Sequence, residues 1–249
     1  DVCSPDLQSV WQAWNHRLST AAQAGEDVAA LTREQWLMPL LKHLGYEDDV
    51  AAVSTKRGIT ILTGFQDEKV TYPVSHEVIH ARDQHDKVCA ALPIHLVSPE
   101  INLDERPTGD RSSRAAHSML QEFLNRTPTR LYGLLTNGHT LRLLRDVTNL
   151  DRQAYLEFDL DQIFANNLQR DFRLMWLLLH ATRFTPDIPA ASDPEPAADA
   201  QVEEELDAVS EDDAADEEQE LAQPALPAVA SPATCALESW RSTVFSEGT

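Results

Sequence analysis

The residues that first invite a chemical reading are His76-Glu77-Val78-Ile79-His80. On a helix, two histidines four apart share a face and can hold zinc, while the Glu activates the metal-bound water. Asp86, ten residues after His76, stands where some metalloproteases place a third ligand. Two features oppose a zinc site. Asp83 follows His76 by seven, where such proteases need glycine to turn the chain, and the lead-in Tyr72-Pro73-Val74 reads as a strand. The expectation is polar residues at a strand end and loop, with no metal.

Paired carboxylates offer a second chemistry. Glu100-Ile101-Asn102 resembles the E-x-K half of a PD-(D/E)xK nuclease, with Asp67 as the metal-binding partner. That reaction needs two carboxylates on Mg²⁺ and a lysine polarising the attacking water. Asn102 stands in the lysine's place and cannot supply its charge. Only eight glycines are present, and no phosphate loop, nucleophile elbow or dinucleotide fingerprint occurs. An Asn-Pro-Pro-aromatic tetrapeptide is also missing.

Local charge supplies a third signal. Residues 106–152 hold eight arginines and no lysine, against four acids, in a chain that is otherwise acidic. Arginine alone favours planar, bidentate contacts to phosphate or carboxylate. Arg106, Arg111, Arg114, Arg126, Arg142 and Arg145, with Gln121 and Asn125, are the DNA-binding candidates. On alternation, Arg142 shares a face with Thr140 and Leu144, whereas Arg145 goes with Leu141 and Leu143.

The whole chain has 249 residues and a net charge of −21. Fifteen of its acids and none of its Lys or Arg fall in residues 186–234, an Ala/Pro/Glu/Asp-rich stretch without aromatics. Such a segment cannot bury enough apolar surface to order itself, so it reads as a disordered acidic linker. It serves as a solubilising spacer or as a mimic of DNA or a docking tail. No apolar run has the length to span a bilayer, and no signal pattern opens the chain. Cys3, Cys89 and Cys235 are an odd set without metal-like spacing, read as reduced thiols of a cytoplasmic protein. Asp1 in place of a start methionine, and an end at Gly248-Thr249, read as an excerpt of a longer chain.

The elements that must position these residues emerge from periodicity. Leu7, Val10, Trp11, Trp14 and Leu18 predict a helix over about 6–20. Thr32 with Gln35 predicts a capping box for a second helix that Pro39 kinks and Gly45 stops. Ile59–Leu62, Val70–Val74 and Pro93–Val97 read as strands. Ala116, Met119, Leu120, Phe123 and Leu124 set the apolar face of a helix over about 113–126. Leu131–Thr136, Asn137-Gly138 and His139–Leu144 predict a hairpin about a type I′ turn. A strand at Ala154–Phe158 and a helix at about 169–184, apolar nearly all round, complete a domain over 1–185. Trp240 and Val244, four apart, mark residues 235–249 as the start of a truncated helical domain.

At Ser118–Arg126, Leu131–Gly138, Leu141–Asp146, Arg152–Leu160 and Trp176–His180, the chain resembles the N-terminal region of large bacterial DNA methylases. These are fused restriction–modification (type IIG-like) adenine methyltransferases, including those of DISARM-type phage-defence systems. The helix–"TNG" hairpin layout is also similar to restriction-endonuclease folds, in which a helix glutamine, here Gln121, faces the active centre. The resemblance implies a mixed α/β (α+β), restriction-endonuclease-like sheet flanked by helices and a degenerate catalytic motif. It implies double-stranded DNA and other defence-system subunits as partners. S-adenosylmethionine would be bound, and methyl transferred to adenine, outside this chain. Mg²⁺ would be required if Asp67 and Glu100 cut DNA.

Overall fold

The computed structural model describes residues 5–46, 50–52, 58–63, 68–107, 114–146, 155–187 and 231–247. Helix α1 (Pro5–Ala24) turns Leu7, Trp11, Trp14 and Ala21 inward at helical spacing. Asp27, not Thr32, is the cap of the second helix, α2 (Val28–Thr32). Its carboxylate accepts from the N–H groups of Ala29 and Ala30, both at 3.0 Å. Thr32 instead accepts the Trp14 indole N–H at 3.1 Å. The helix continues through one π turn, Arg33–Leu37, into α3 (Met38–His43). That wide turn immediately precedes Pro39, which has no N–H and crowds the carbonyl four residues back, so the chain stays helical by widening.

Six strands then build the main sheet: β1 (Val50–Ala52), β4 (His76–Arg82), β5 (Val88–Leu96), β6 (Tyr132–Thr136), β7 (Thr140–Arg145) and β8 (Tyr155–Asp159). They lie in the order β1-β4-β5-β6-β7-β8. Neighbours are antiparallel except β5 and β6, which pair parallel through Ile94–Leu134, His95–Leu135 and Leu96–Thr136. Strands β2 (Ile59–Thr63) and β3 (Glu68–Tyr72) form a separate antiparallel ribbon. The crossover from β5 to β6 carries α4 (Ala116–Asn125). Asp159 caps α5 (Leu160–Ala165), accepting from Gln162 at 2.9 Å, and α6 (Gln169–Leu179) comes next. The fold is mixed α+β, with helices on both faces of the sheet.

Each face has its own core. Leu92, Ile94, Leu134, Leu141 and Leu143 pack with Trp14, Trp36, Phe164 and Phe172 from the α1–α3 and α5–α6 side. Leu135 and Leu144 meet Leu120, Phe123 and Leu124 of α4, with Tyr72 of β3. Gly133 has no side chain where Leu120 and Leu124 press on β6; a Cβ there would lie 3.3 Å from a Leu124 methyl.

Four further expectations need correction. His76–Arg82 is a full strand, not a strand end and loop. Asn137 is not in the left-handed region, so the hairpin turn is not type I′; its side-chain oxygen accepts from the His139 and Thr140 N–H groups, and Gly138 alone has positive φ. Helix α6 is buried on one side only, through Phe172, Met175 and Leu179, while Leu174 and Leu177 are exposed. Finally, the chain returns at Ser231 and α7 (Ala236–Glu247) belongs to the same compact unit as residues 1–187, not to a further domain. Its buried anchors are Cys235, Leu237 and Glu238; Trp240 and Val244, which suggested a new core, face outward. Of the segment expected to be a disordered acidic linker, 186–234, residues 188–230 lie outside the described residues, while its ends are ordered, with Pro232–Thr234 in a 3₁₀ turn and Pro186 bridged to Cys235.

Candidate functional site

Strand geometry decides the His-Glu-x-x-His motif first. Residues four apart on a strand are separated by about 13 Å, and Glu77 points to the opposite face from its neighbours. Glu77 instead takes the Arg130 guanidinium at 2.6 Å, beneath which lies the Phe123 ring. His76 Nδ1 lies 3.0 Å from the Ser75 hydroxyl. Burial, then the nearby Arg33 charge, lowers its pKa.

Of the nuclease candidates, the two that are described, Glu100 and Gln121, are not brought together. Asp67 lies outside the described residues. Glu100 is exposed in a turn after β5. Gln121 faces the other end of the sheet: its Nε2 donates to the Arg145 carbonyl and to Asn125 Oδ1, both at 2.8 Å. Arg145 pairs with Tyr132 at the start of β6, whereas Leu96, just ahead of Glu100, pairs with Thr136 at its end. The expectation that Gln121 faces a catalytic centre holding Glu100 is therefore overturned. Among the described residues no group of three or more His, Cys, Asp or Glu is placed to hold a metal ion.

The arginines divide into two classes that spacing could not separate. Arg142 is buried on the α4 side of β7, with its fork on both Asp104 oxygens at 2.7 Å and its Nε on Glu157 at 2.6 Å. It also lies over the Tyr155 ring, and its hydrogen bonds hold the Asp104 carboxyl below its usual range. Arg145, on the opposite face as alternation predicts, clasps Glu238 at 2.8 and 3.0 Å together with Arg241. Both are structural cross-links and are removed from the set of DNA contacts.

Arg106, Arg114 and Arg126 are the exposed class. Arg106 lies in the loop after β5. Arg114 and Arg126 bracket Glu122 of α4, which Arg126 reaches at 3.3 Å and which also accepts from the Tyr72 hydroxyl at 3.0 Å. Arg111 lies outside the described residues. Two cations around one carboxylate leave the Arg114–Glu122–Arg126 cluster with a net positive charge.

Sequence reasoning missed Glu238, Arg241 and His95. Glu238 lay in the segment assigned to a further domain, and nothing marked His95 beyond its place in a short apolar strand. No protein-family model, curated protein or solved structure matches this chain. No helix among the described residues is long and apolar enough to cross a membrane.

Proposed function

We propose that this chain is a DNA-engaging, non-cleaving domain of a bacterial restriction–modification or phage-defence adenine methyltransferase, working in the cytoplasm. The observation that carries the reading is the pair of exposed arginines, Arg114 and Arg126, that outnumber Glu122 on α4, with Arg106 also exposed in the loop after β5. Guanidinium groups there would replace condensed counterions along one stretch of duplex backbone and set the register of the DNA. Base flipping and methyl transfer, with S-adenosylmethionine, would belong to a domain outside this chain. The cutting alternative through Asp67 and Glu100 draws less support, because Glu100 is solvated and has no described carboxylate partner.

Fluorescence anisotropy of a labelled duplex against the full chain, across a salt series, tests this. Binding should weaken steeply with salt, and Arg106→Ala and Arg126→Ala should each lower the slope by about one unit. Absence of binding at low salt would remove the proposal. A second reading, an interaction module for other defence-system subunits, draws on a different observation. Tyr155 and Leu156 of the edge strand β8, with Leu178, Trp240 and Val244, line an open apolar groove of about 530 Å³.

A further inference from the structure

Strand β8 is an edge of the main sheet, and its outer side meets no other strand among the described residues. Two hydrogen bonds fix which of its backbone groups are free there. Asp146 N–H donates to the Leu131 carbonyl at 2.7 Å, and Leu160 N–H to the His139 carbonyl at 2.9 Å. In the antiparallel registers of β7, even-numbered residues therefore bond to β6 and odd-numbered ones to β8. Leu156 and Phe158 direct their N–H and C=O groups to β7, which leaves those of Tyr155 and Glu157 pointing outward.

Beside that edge, on the face of Leu156, lies the apolar groove of about 530 Å³. Leu178 of α6 and Trp240 and Val244 of α7 wall it, and Leu156, Trp240 and Val244 are all exposed. Apolar side chains exposed together mark a surface that a partner covers. One end of the groove is charged. Arg145 and Arg241 line it and share one carboxylate, Glu238. Asp146, next after Arg145, turns to the other face by alternation. Two guanidinium groups on one carboxylate leave this end net positive, and Arg183, over the Trp240 ring at 4.7 Å, adds a third cation.

A strand laid antiparallel on β8 would exchange hydrogen bonds with Tyr155 and Glu157. Its residue opposite Leu156 would stand in a non-hydrogen-bonded pair, where side chains approach most closely, on the groove's face. The residue two positions later shares that face. Because Arg145 follows Leu144, the partner of Tyr155, this later residue extends toward Arg145 and Arg241. An apolar side chain suits the first position and a carboxylate the second.

We infer that β8 and this groove receive an extended segment of a partner protein, added as a further strand, in which an apolar residue is followed two positions later by Asp or Glu. The inference rests on the second reading above, the groove as an interaction surface, and gives it a partner chemistry; it does not rest on duplex binding. A second copy fits less well, because each chain carries −21.

Fluorescence anisotropy of three labelled eight-residue peptides against the full chain tests it. The first alternates threonine and valine around a central leucine, with glutamate two positions on. The second has lysine for that glutamate. The third is the first with the amide nitrogens that would face Tyr155 and Glu157 methylated, so that it cannot pair with a strand edge. The first should saturate at one site, with a dissociation constant of about 100 μM or below. Lysine should weaken binding by about tenfold, and methylation should abolish it. Leu156→Asp should also abolish it. Val244→Asp, at an exposed position of α7, should weaken it by about tenfold and keeps the test decisive should Leu156→Asp fail to fold.

Three results overturn the inference: no saturation up to about 1 mM; the lysine or the methylated peptide binding as tightly as the first; or binding that Val244→Asp leaves unchanged. Sedimentation velocity separates that failure from failure of the interaction reading. Self-association that Val244→Asp removes would keep the groove an interface with a second copy as its occupant, whereas a monomer that binds none of the peptides would remove both.

Discussion

Tyr132 and Glu238, 106 positions apart, are joined by a 2.6 Å hydrogen bond in which the phenol donates to the carboxylate. It fastens α7 to the start of β6. Burial alone would raise the Glu238 pKa, but hydrogen bonds from Arg241, Arg145 and Tyr132 hold it down, to about 2. Glu238→Ala should cost about 2 kcal/mol, since it strands a half-buried Arg145 and a buried phenol. Urea denaturation measures the loss, and amide exchange over 236–247 should rise before that of β5 and β6.

The same carboxylate sets an acid limit. Its folded pKa lies below the ordinary 4.5, so its contribution is complete above pH 4.5 and disappears as pH falls toward 2. Melting temperature across that window should drop more in the native chain than in Glu238→Gln. Parallel curves would show that the clasp carries no pH-dependent stability.

Arg142 should behave as a strut. Arg142→Ala should destabilise the fold by about 2 kcal/mol, a value moderated because Asp104 and Glu157 are half exposed and can be rehydrated. Arg142→Lys should recover little, because an ammonium cannot fill the fork on Asp104. Neither change should alter the salt slope of duplex binding; a slope lowered by a full unit in Arg142→Lys would return this residue to the DNA surface.

Gly138 is constrained from two sides. Its φ is +94°, and a Cβ there would approach Thr32 to 2.8 Å and Trp14 to 3.2 Å, while its carbonyl accepts the Trp36 indole at 2.8 Å. Gly138→Ala should therefore cost about 3 kcal/mol, from backbone strain and overpacking together. Thermal melting should show the drop with no change in β content.

The ends of the acidic segment meet. Pro186 bridges Cys235, and the Thr234 hydroxyl donates to the Asp187 carbonyl at 3.2 Å. Truncation at residue 185 would also strip away α7, so excision is the informative change. Replacing residues 189–229 with a short Gly/Ser link should hold or raise stability by about 1–2 kcal/mol through the smaller loop. It also removes fourteen carboxylates and should tighten duplex binding. Weaker binding after excision would mean that the segment helps to hold DNA.

Local periodicity made much of the fold legible: α1, α4, the β6–β7 hairpin and the strands around Ile59, Val70, Ile94 and Phe158 all lie near their expected places. The α5 helix was missed, although Asp159, whose carboxylate accepts the Gln162 N–H, is a residue of the kind that caps a helix. Two kinds of feature were not legible. β4 was hidden because His76, Glu77 and His80 look polar, although Glu77 finds its partner, Arg130, 53 positions away. The two classes of arginine were hidden for the same reason. Alternation correctly put Arg142 and Arg145 on opposite faces, but burial depends on Asp104, Glu157 and Glu238, which no local pattern connects to them.

The parallel pairing of β5 with β6 divides the sheet into two antiparallel halves, β1-β4-β5 and β6-β7-β8. Each half includes a hairpin that can form early from neighbours in sequence, whereas the seam must bring Ile94 to Leu134 across the connection carrying α4. Closing such a loop is the entropically demanding step, met only when α4 settles on Gly133. The seam is thus the natural rate-limiting event of folding, and side-chain changes where α4 meets Gly133 should slow refolding more than they speed unfolding.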